Sequence, residues 1–123
     1  MKENNFYREL IINSNFGYAY HKVLVDERGE PYDYVFIEVN KTFTELTGLE
    51  HNAILHKSVL EVIPDIRNSE FDWIKYYGNI ALNSGSESFE QYSQELNKWY
   101  KVQVFSSEKF YFTTIFTDIT KEK

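Results

Sequence analysis

Three strand patterns follow one another in the closing stretch of the chain with almost nothing between them. No other feature narrows the fold as much. Residues 87–96, 98–106 and 109–117 are rich in aromatic and β-branched side chains, and Asn97-Lys98 and Ser107-Glu108 mark the turns. Connections this short join antiparallel neighbours, because a parallel crossover needs about a dozen residues or more. A meander is expected, and with it an antiparallel sheet.

Two further strands are expected near the start. Residues 17–25 and 32–39 carry β-branched and aromatic side chains, and Asp26–Pro31, punctuated by Gly29 and Pro31, turns one into the other. Asn40 is placed to cap a short helix with Phe43, Leu46 and Thr47 on one side, and Gly48 stands where a left-handed terminus is wanted. Residues 50–68 show apolar groups without a sustained period and read as short helical turns closed by Pro64. Ser69 and Asp72 have the spacing of a capping box, so one long helix is expected over about residues 70–83, ended by Gly85. Its buried stripe is Phe71, Ile74, Tyr77/Gly78 and Ala81/Leu82. Gly78 in mid-helix costs about 1 kcal/mol against alanine. Close approach to the sheet or to a bound molecule would compensate. Residues 3–13 place Phe6, Leu10 and Ile11 at helical spacing, giving a short amphipathic N-terminal helix over residues 1–15. The resulting class is α+β: a five-stranded antiparallel sheet with its helices grouped in mid-chain and packed on one face.

Composition removes whole classes of function. A chain of 123 residues is one domain's worth, and 18% aromatic content is incompatible with disorder. No cysteine is present, which excludes disulfides, cysteine–zinc sites, iron–sulfur clusters and thiol chemistry. With 13 basic against 19 acidic residues the net charge is −6, a poor match for nucleic acid or an anionic membrane. No stretch approaches the roughly 18 apolar residues of a membrane span, and the N-terminus lacks a signal peptide's apolar core, so a cytoplasmic protein without membrane insertion is expected.

The segment Val39-Asn40-Lys41-Thr42-Phe43-Thr44-Glu45-Leu46-Thr47-Gly48 resembles a motif of PAS domains, and Asp118-Ile119-Thr120-Lys121-Glu122-Lys123 resembles their exit motif. Between them, Tyr77–Leu82 with Gly85 is similar to the family's long helix, and Trp99-Tyr100 to the start of its fourth strand. The resemblance covers about residues 16–120. It implies a PAS domain over residues 16–118, a sensory module that binds a small molecule between sheet and helices or serves as a dimerising relay. The output would be a C-terminal domain such as a histidine kinase or diguanylate cyclase. Asp118, Ile119 and Thr120 would then be the signal exit, with residues 119–123 opening a departing helix capped by Asp118. The chain stops three residues past the motif, so a sensor unit cut from a longer protein is expected. The flavin photoadduct known in some members requires a cysteine and is excluded here. Haem held by a histidine of the long helix is disfavoured, since residues 69–84 contain none.

His21 and Glu38 are the foremost candidates for chemistry. A first hairpin symmetric about its loop, with Asp26 facing Asp33, sets Val25 against Tyr34, Val23 against Phe36 and His21 against Glu38. Opposed side chains lie about 5 Å apart on one face, and a carboxylate there would raise the histidine pKa. The resemblance implies that this face is the helix-covered one. Val35, Ile37 and Val39 on the other face are equally core-like, and a one-residue slip would exchange the two. By the same alternation Tyr100, Val102 and Val104 share a face, as do Phe112, Thr114 and Phe116. With Val23, Phe36 and Tyr77 they either wall a pocket or fill a core. A ligand in such a pocket would be small, apolar or aromatic, with a polar group near His21 and Glu38.

On the other face Tyr18, Tyr20, Leu24, Trp99 and Phe105 form a patch too apolar for water. The N-terminal helix, a twin subunit or both would cover it, and a homodimer is expected. His51 and His56 diverge by about 140° at helical spacing and make no metal site. No nucleophile elbow, zinc-protease, phosphate-loop or dinucleotide pattern occurs. A sensor or relay domain without catalysis is the favoured reading. The alternatives are a dimerisation module with a filled core and a small enzyme using His21 and Glu38 as acid and base.

Overall fold

Aromatic and β-branched runs form strands because their side chains pack on a pleated surface, and five such runs pair here. A computed structural model describes residues 9–10, 14–94 and 96–123. The expected N-terminal helix lies almost wholly outside the described residues; of it, Glu9 and Leu10 are helical. The order is β1 (Gly17–Val25), β2 (Pro31–Val39), α1 (Lys41–Thr47), α2 (His51–Ile54), α3 (Val59–Val62), a 3-10 turn (Pro64–Asn68), α4 (Trp73–Asn83), β3 (Ser86–Ser93), β4 (Lys98–Phe105), β5 (Tyr111–Asp118) and a last 3-10 turn (Thr120–Glu122). The strands form one antiparallel sheet in the order β2-β1-β5-β4-β3. Both α1 and α4 cover the same face. Phe43 of α1 meets Phe36 and Phe116, and Tyr77 of α4 stacks on Phe112 and His21.

Asn40 caps α1 as its sequence position predicts. Its Oδ1 accepts from Phe43 N at 2.8 Å and also from Tyr18 N at 2.9 Å, while Nδ2 donates to Phe16 O at 3.0 Å. Gly48 ends α1 with φ 76°. The long helix begins later than expected. Ser69 terminates the preceding 3-10 turn, and the cap is Asp72, whose carboxylate accepts from Lys75 N at 3.0 Å. Phe71 stays outside the helix because its ring packs against Phe89 and Tyr76. The capping box of this chain is Ser58 with Glu61, at the start of α3. At the other end the left-handed residue is Ser84 rather than Gly85.

The turns of the meander also differ from expectation. Strand β3 stops at Ser93, whose Oγ accepts from Leu96 N, and Gln94, Leu96 and Asn97 lie in the turn; Lys98 already pairs with Ser93. The β4–β5 connection spans Ser106–Phe110 and is held to the end of α4 by Ser106 N on Gly85 O and Phe110 N on Ala81 O, both 3.0 Å.

Gly78 is where α4 crosses the first hairpin. A Cβ built there would lie 2.4 Å from both Cβ and Cγ of Pro31, the first residue of β2. The missing side chain is compensated by close approach to the sheet. Gly78→Ala gains about 1 kcal/mol of helix propensity but must displace a rigid ring, an overpacking that costs about 1–3 kcal/mol. Urea unfolding is expected to show a net loss of up to about 2 kcal/mol; a more stable variant would contradict the packing described.

Candidate ligand cavity

Alternation along the strands sends one set of side chains toward the helices: Ala19, His21 and Val23 from β1, Tyr100, Val102 and Val104 from β4, Phe112, Thr114 and Phe116 from β5. They do not close the space completely. A cavity of about 80 Å³ remains between sheet and helices. Its sheet side is His21, Tyr34, Phe36, Ser93, Tyr100, Val102, Thr114 and Phe116. Phe43, Thr47, Leu49, Ile63, Ile66, Trp73, Tyr77 and Leu96 complete it from the helices and turns. Thr47, Leu49, Ile63 and Leu96 are half-buried and form its solvent side.

The first hairpin is not symmetric. His21 pairs with Phe36 and Tyr20 with Glu38, so Ile37 is an extra residue that bulges out of β2. The bulge shifts parity along the strand: Phe36 and Val39 both point inward, and Glu38 turns to the opposite face. There its carboxylate accepts from the Tyr18 hydroxyl at 3.1 Å. The expected His21–Glu38 pair therefore does not exist, and Glu38 is no part of the cavity. An acid/base dyad of these two residues is ruled out with it.

His21 is 2% exposed and lies among rings, stacked on Phe112 at 4.3 Å and edge-on to Tyr34 at 5.0 Å. Its Nδ1 is 3.4 Å from the Phe112 carbonyl, an acceptor, which assigns the proton to Nδ1 and leaves Nε2 as a lone pair. Burial pushes the imidazole pKa down from 6.5 to about 3, the reverse of the rise expected beside a carboxylate. Burial likewise raises the phenols of Tyr34, Tyr77 and Tyr100. The cavity is thus lined by neutral groups throughout.

Of the other sequence candidates, Phe36, Tyr77, Tyr100, Val102, Thr114 and Phe116 line the space with His21, whereas Val23 and Phe112 are buried beside it in the core. Sequence reasoning passed over Tyr34, Phe43 and Trp73. Tyr34 shares the parity of Phe36, and Trp73 precedes Tyr77 by one helical turn, so periodicity carried a signal for both. Leu96 carried none, because only the early end of β3 turns it inward. Trp73 is 7% exposed, and its Nε1 is a buried polar atom with no hydrogen-bond partner. Such a group costs about 1–3 kcal/mol.

A cavity this size is a fraction of the roughly 300–1,000 Å³ that drug-sized ligands occupy. Among the described residues no group of three His, Cys, Asp or Glu could hold a metal ion, and no helix is long and apolar enough to cross a membrane.

On the outer face, Tyr18, Tyr20 and Leu24 alternate with the inward residues of β1, Tyr20 stacks on Tyr111 at 5.7 Å, and Phe105 is 40% exposed. The exit segment is sewn to the start of β4. Thr120 Oγ1 accepts from Trp99 N at 3.0 Å and donates to Asp118 at 2.6 Å, and Ile119 N donates to Trp99 O at 2.9 Å. Asp118 also accepts from Thr120 N at 2.9 Å, and these bonds hold its carboxyl below the usual range. Beyond Asp118 the chain makes the last 3-10 turn, where an α-helix capped by Asp118 was expected.

The buried imidazole makes stability depend on pH. Unfolded, it takes up a proton below pH 6.5; folded, only near 3. In between, the unfolded state binds more protons, so stability falls as pH falls. From pH 7 to pH 5 the loss from this group is about 2 kcal/mol. Urea unfolding at both pH values should show that much less pH dependence in His21→Phe than in the parent; equal dependence would mean the imidazole is not held neutral.

No family model matches the chain, nor does any curated protein sequence. Solved structures do match. An RNA-binding light-oxygen-voltage receptor superposes with a TM-score of 0.67 at 9% identity over 97% of this chain, which spans only 33% of that receptor's length. A domain of the sensory box sensor histidine kinase/response regulator of Geobacter sulfurreducens matches at TM-score 0.61 and 13% identity, covering 94% of both chains. The PAS domain of a Colwellia psychrerythraea protein matches at TM-score 0.61 and 13% identity, over 97% of this chain and 98% of its own. A five-stranded antiparallel sheet with its helices on one face, superposing on these domains along nearly its whole length, gives this chain the PAS fold.

Proposed function

We propose that this domain is a sensory module. It takes a small uncharged molecule into the cavity between sheet and helices and passes occupancy to a following output domain through Asp118, Ile119 and Thr120. The observation that carries this reading is the position of β4. Tyr100 lines the cavity and donates its hydroxyl to Leu46 O at 3.2 Å, while its neighbour Trp99 holds Ile119 and Thr120. One strand thus touches both the sensed space and the exit. A ligand shifts the exit only if it binds one arrangement of β4 better than another. The Geobacter structure is a domain of a sensor histidine kinase/response regulator, which supports a histidine kinase as output, with a diguanylate cyclase as the alternative. The domain itself would be non-catalytic and work in the cytoplasm.

The outer face supports a second part of the proposal. A sheet surface bearing Tyr18, Tyr20, Trp99 and Phe105 fits a homodimer, which would let the signal pass as a rearrangement between subunits.

Native mass spectrometry of freshly purified protein is expected to show a small co-purifying molecule, released when the protein unfolds. A bare mass in every preparation would favour a dimerising relay with a closed core. Sedimentation velocity is expected to show a dimer that Phe105→Glu shifts toward monomer. A parent protein monomeric at high concentration would remove the dimer.

A further inference from the structure

The cavity wall carries a nitrogen that the fold leaves open and unpaired. His21 borders the cavity, is 2% exposed, and turns Nδ1 to the Phe112 carbonyl, a group that can only accept. Nε2 is therefore a lone pair, and no protein group donates to it. Among the described residues the one partnerless side-chain nitrogen or oxygen closed off from water is Trp73 Nε1. The partnerless Nε2 of His21 is thus not closed off, and the cavity that its ring borders is the space that reaches it. The ring is held in place, stacked on Phe112 at 4.3 Å and edge-on to Tyr34 at 5.0 Å. The hydroxyls of Tyr34 and Tyr77 can rotate to donate or accept and so prescribe nothing about an occupant. Nε2 does prescribe: whatever satisfies it must bring a donor.

Charge and size narrow the chemistry further. Among the described residues no Lys, Arg, Asp or Glu lines the cavity, so an ion would be buried there without a counter-ion. Phe36, Phe43, Val102 and Phe116 share the wall with His21 and offer an apolar surface to the rest of an occupant. The volume of about 80 Å³ is roughly half the 150 Å³ of an engineered cavity that accepts benzene.

We infer that the occupant is an uncharged molecule of a few heavy atoms whose hydroxyl or amide N–H donates to Nε2 of His21, its apolar remainder lying against the rings. This rests on the sensory reading of the cavity and adds to it the class of molecule sensed.

Four probes of near-identical size separate the possibilities: 2-propanol, acetone, isobutane dissolved under pressure, and isopropylammonium. The alcohol and the ammonium donate, the ketone only accepts, and the hydrocarbon does neither. Imidazole nitrogens are read in ¹⁵N–¹H spectra, with the exposed His51 and His56 assigned by His51→Gln and His56→Asn. In the parent protein the His21 Nε2 is expected to resonate as an unprotonated nitrogen, which 2-propanol moves upfield and isobutane leaves in place. His21→Phe is expected to lower 2-propanol affinity about fivefold relative to isobutane; the ratio cancels any change in cavity volume. A protonated Nε2, an Nε2 unmoved at alcohol saturation, or an unchanged ratio of alcohol to hydrocarbon affinity would overturn the contact to His21 and leave the cavity reading standing. Acetone binding the parent as tightly as 2-propanol would overturn the donor class, and tighter binding of isopropylammonium than of the alcohol would overturn the uncharged class. Failure of all four probes to bind would leave the space to water and defeat the sensory reading itself, and this inference with it.

Discussion

One side chain ties the first hairpin of this domain to its first helix. Asn40 is 2% exposed and sits where β2 ends and α1 begins. Its carbonyl oxygen holds the first turn of α1 and the backbone of β1 at once, and its amide holds Phe16 just before β1. A buried amide is stable only when its donors and acceptors are paired, and here they are paired by three different segments. The direction of α1 is thereby locked to the sheet. Phe43 can then reach Phe36 and Phe116, and Thr47 and Leu49 stand over the open side of the cavity.

The bulge at Ile37 decides what kind of cavity this is. Without it Glu38 would share a face with His21, and the interior would hold an ion pair. The extra residue sends the carboxylate out to Tyr18 and brings Val39 in. An imidazole left among rings cannot keep its charge, because desolvation penalises the protonated form and nothing nearby repays it. The neutrality of the cavity wall follows from one backbone irregularity.

Strand β4 gives the domain a mechanical logic. Its Tyr100 and Val102 face the cavity, and the backbone of Trp99 holds the segment after β5. Lys123 lies 4.9 Å over the Trp99 ring and pairs with Glu90 at 2.7 Å, which adds a weak surface tether to the firmer bonds of Thr120. Cavity wall and C-terminal segment are thus neighbours along the same backbone.

The element order, the antiparallel sheet, Asn40 as a cap and Gly48 as a terminus were legible in the chain, because strand periodicity, short connections and capping preferences are local properties. So was the inward set on β4 and β5, where regular alternation runs undisturbed. Face assignment on β2 was not, because a bulge leaves no mark in a pattern of alternating side chains; it arises where β1, α1 and the chain before β1 must all meet Asn40. The true start of α4 was hidden for a similar reason. Ser69 and Asp72 both offer a cap, and only the packing of Phe71 on Phe89 chooses between them. The neutral histidine and the unpaired indole belong to this second class: a pKa and an unmet hydrogen bond depend on what surrounds a group in three dimensions, and residues distant along the chain supply those surroundings.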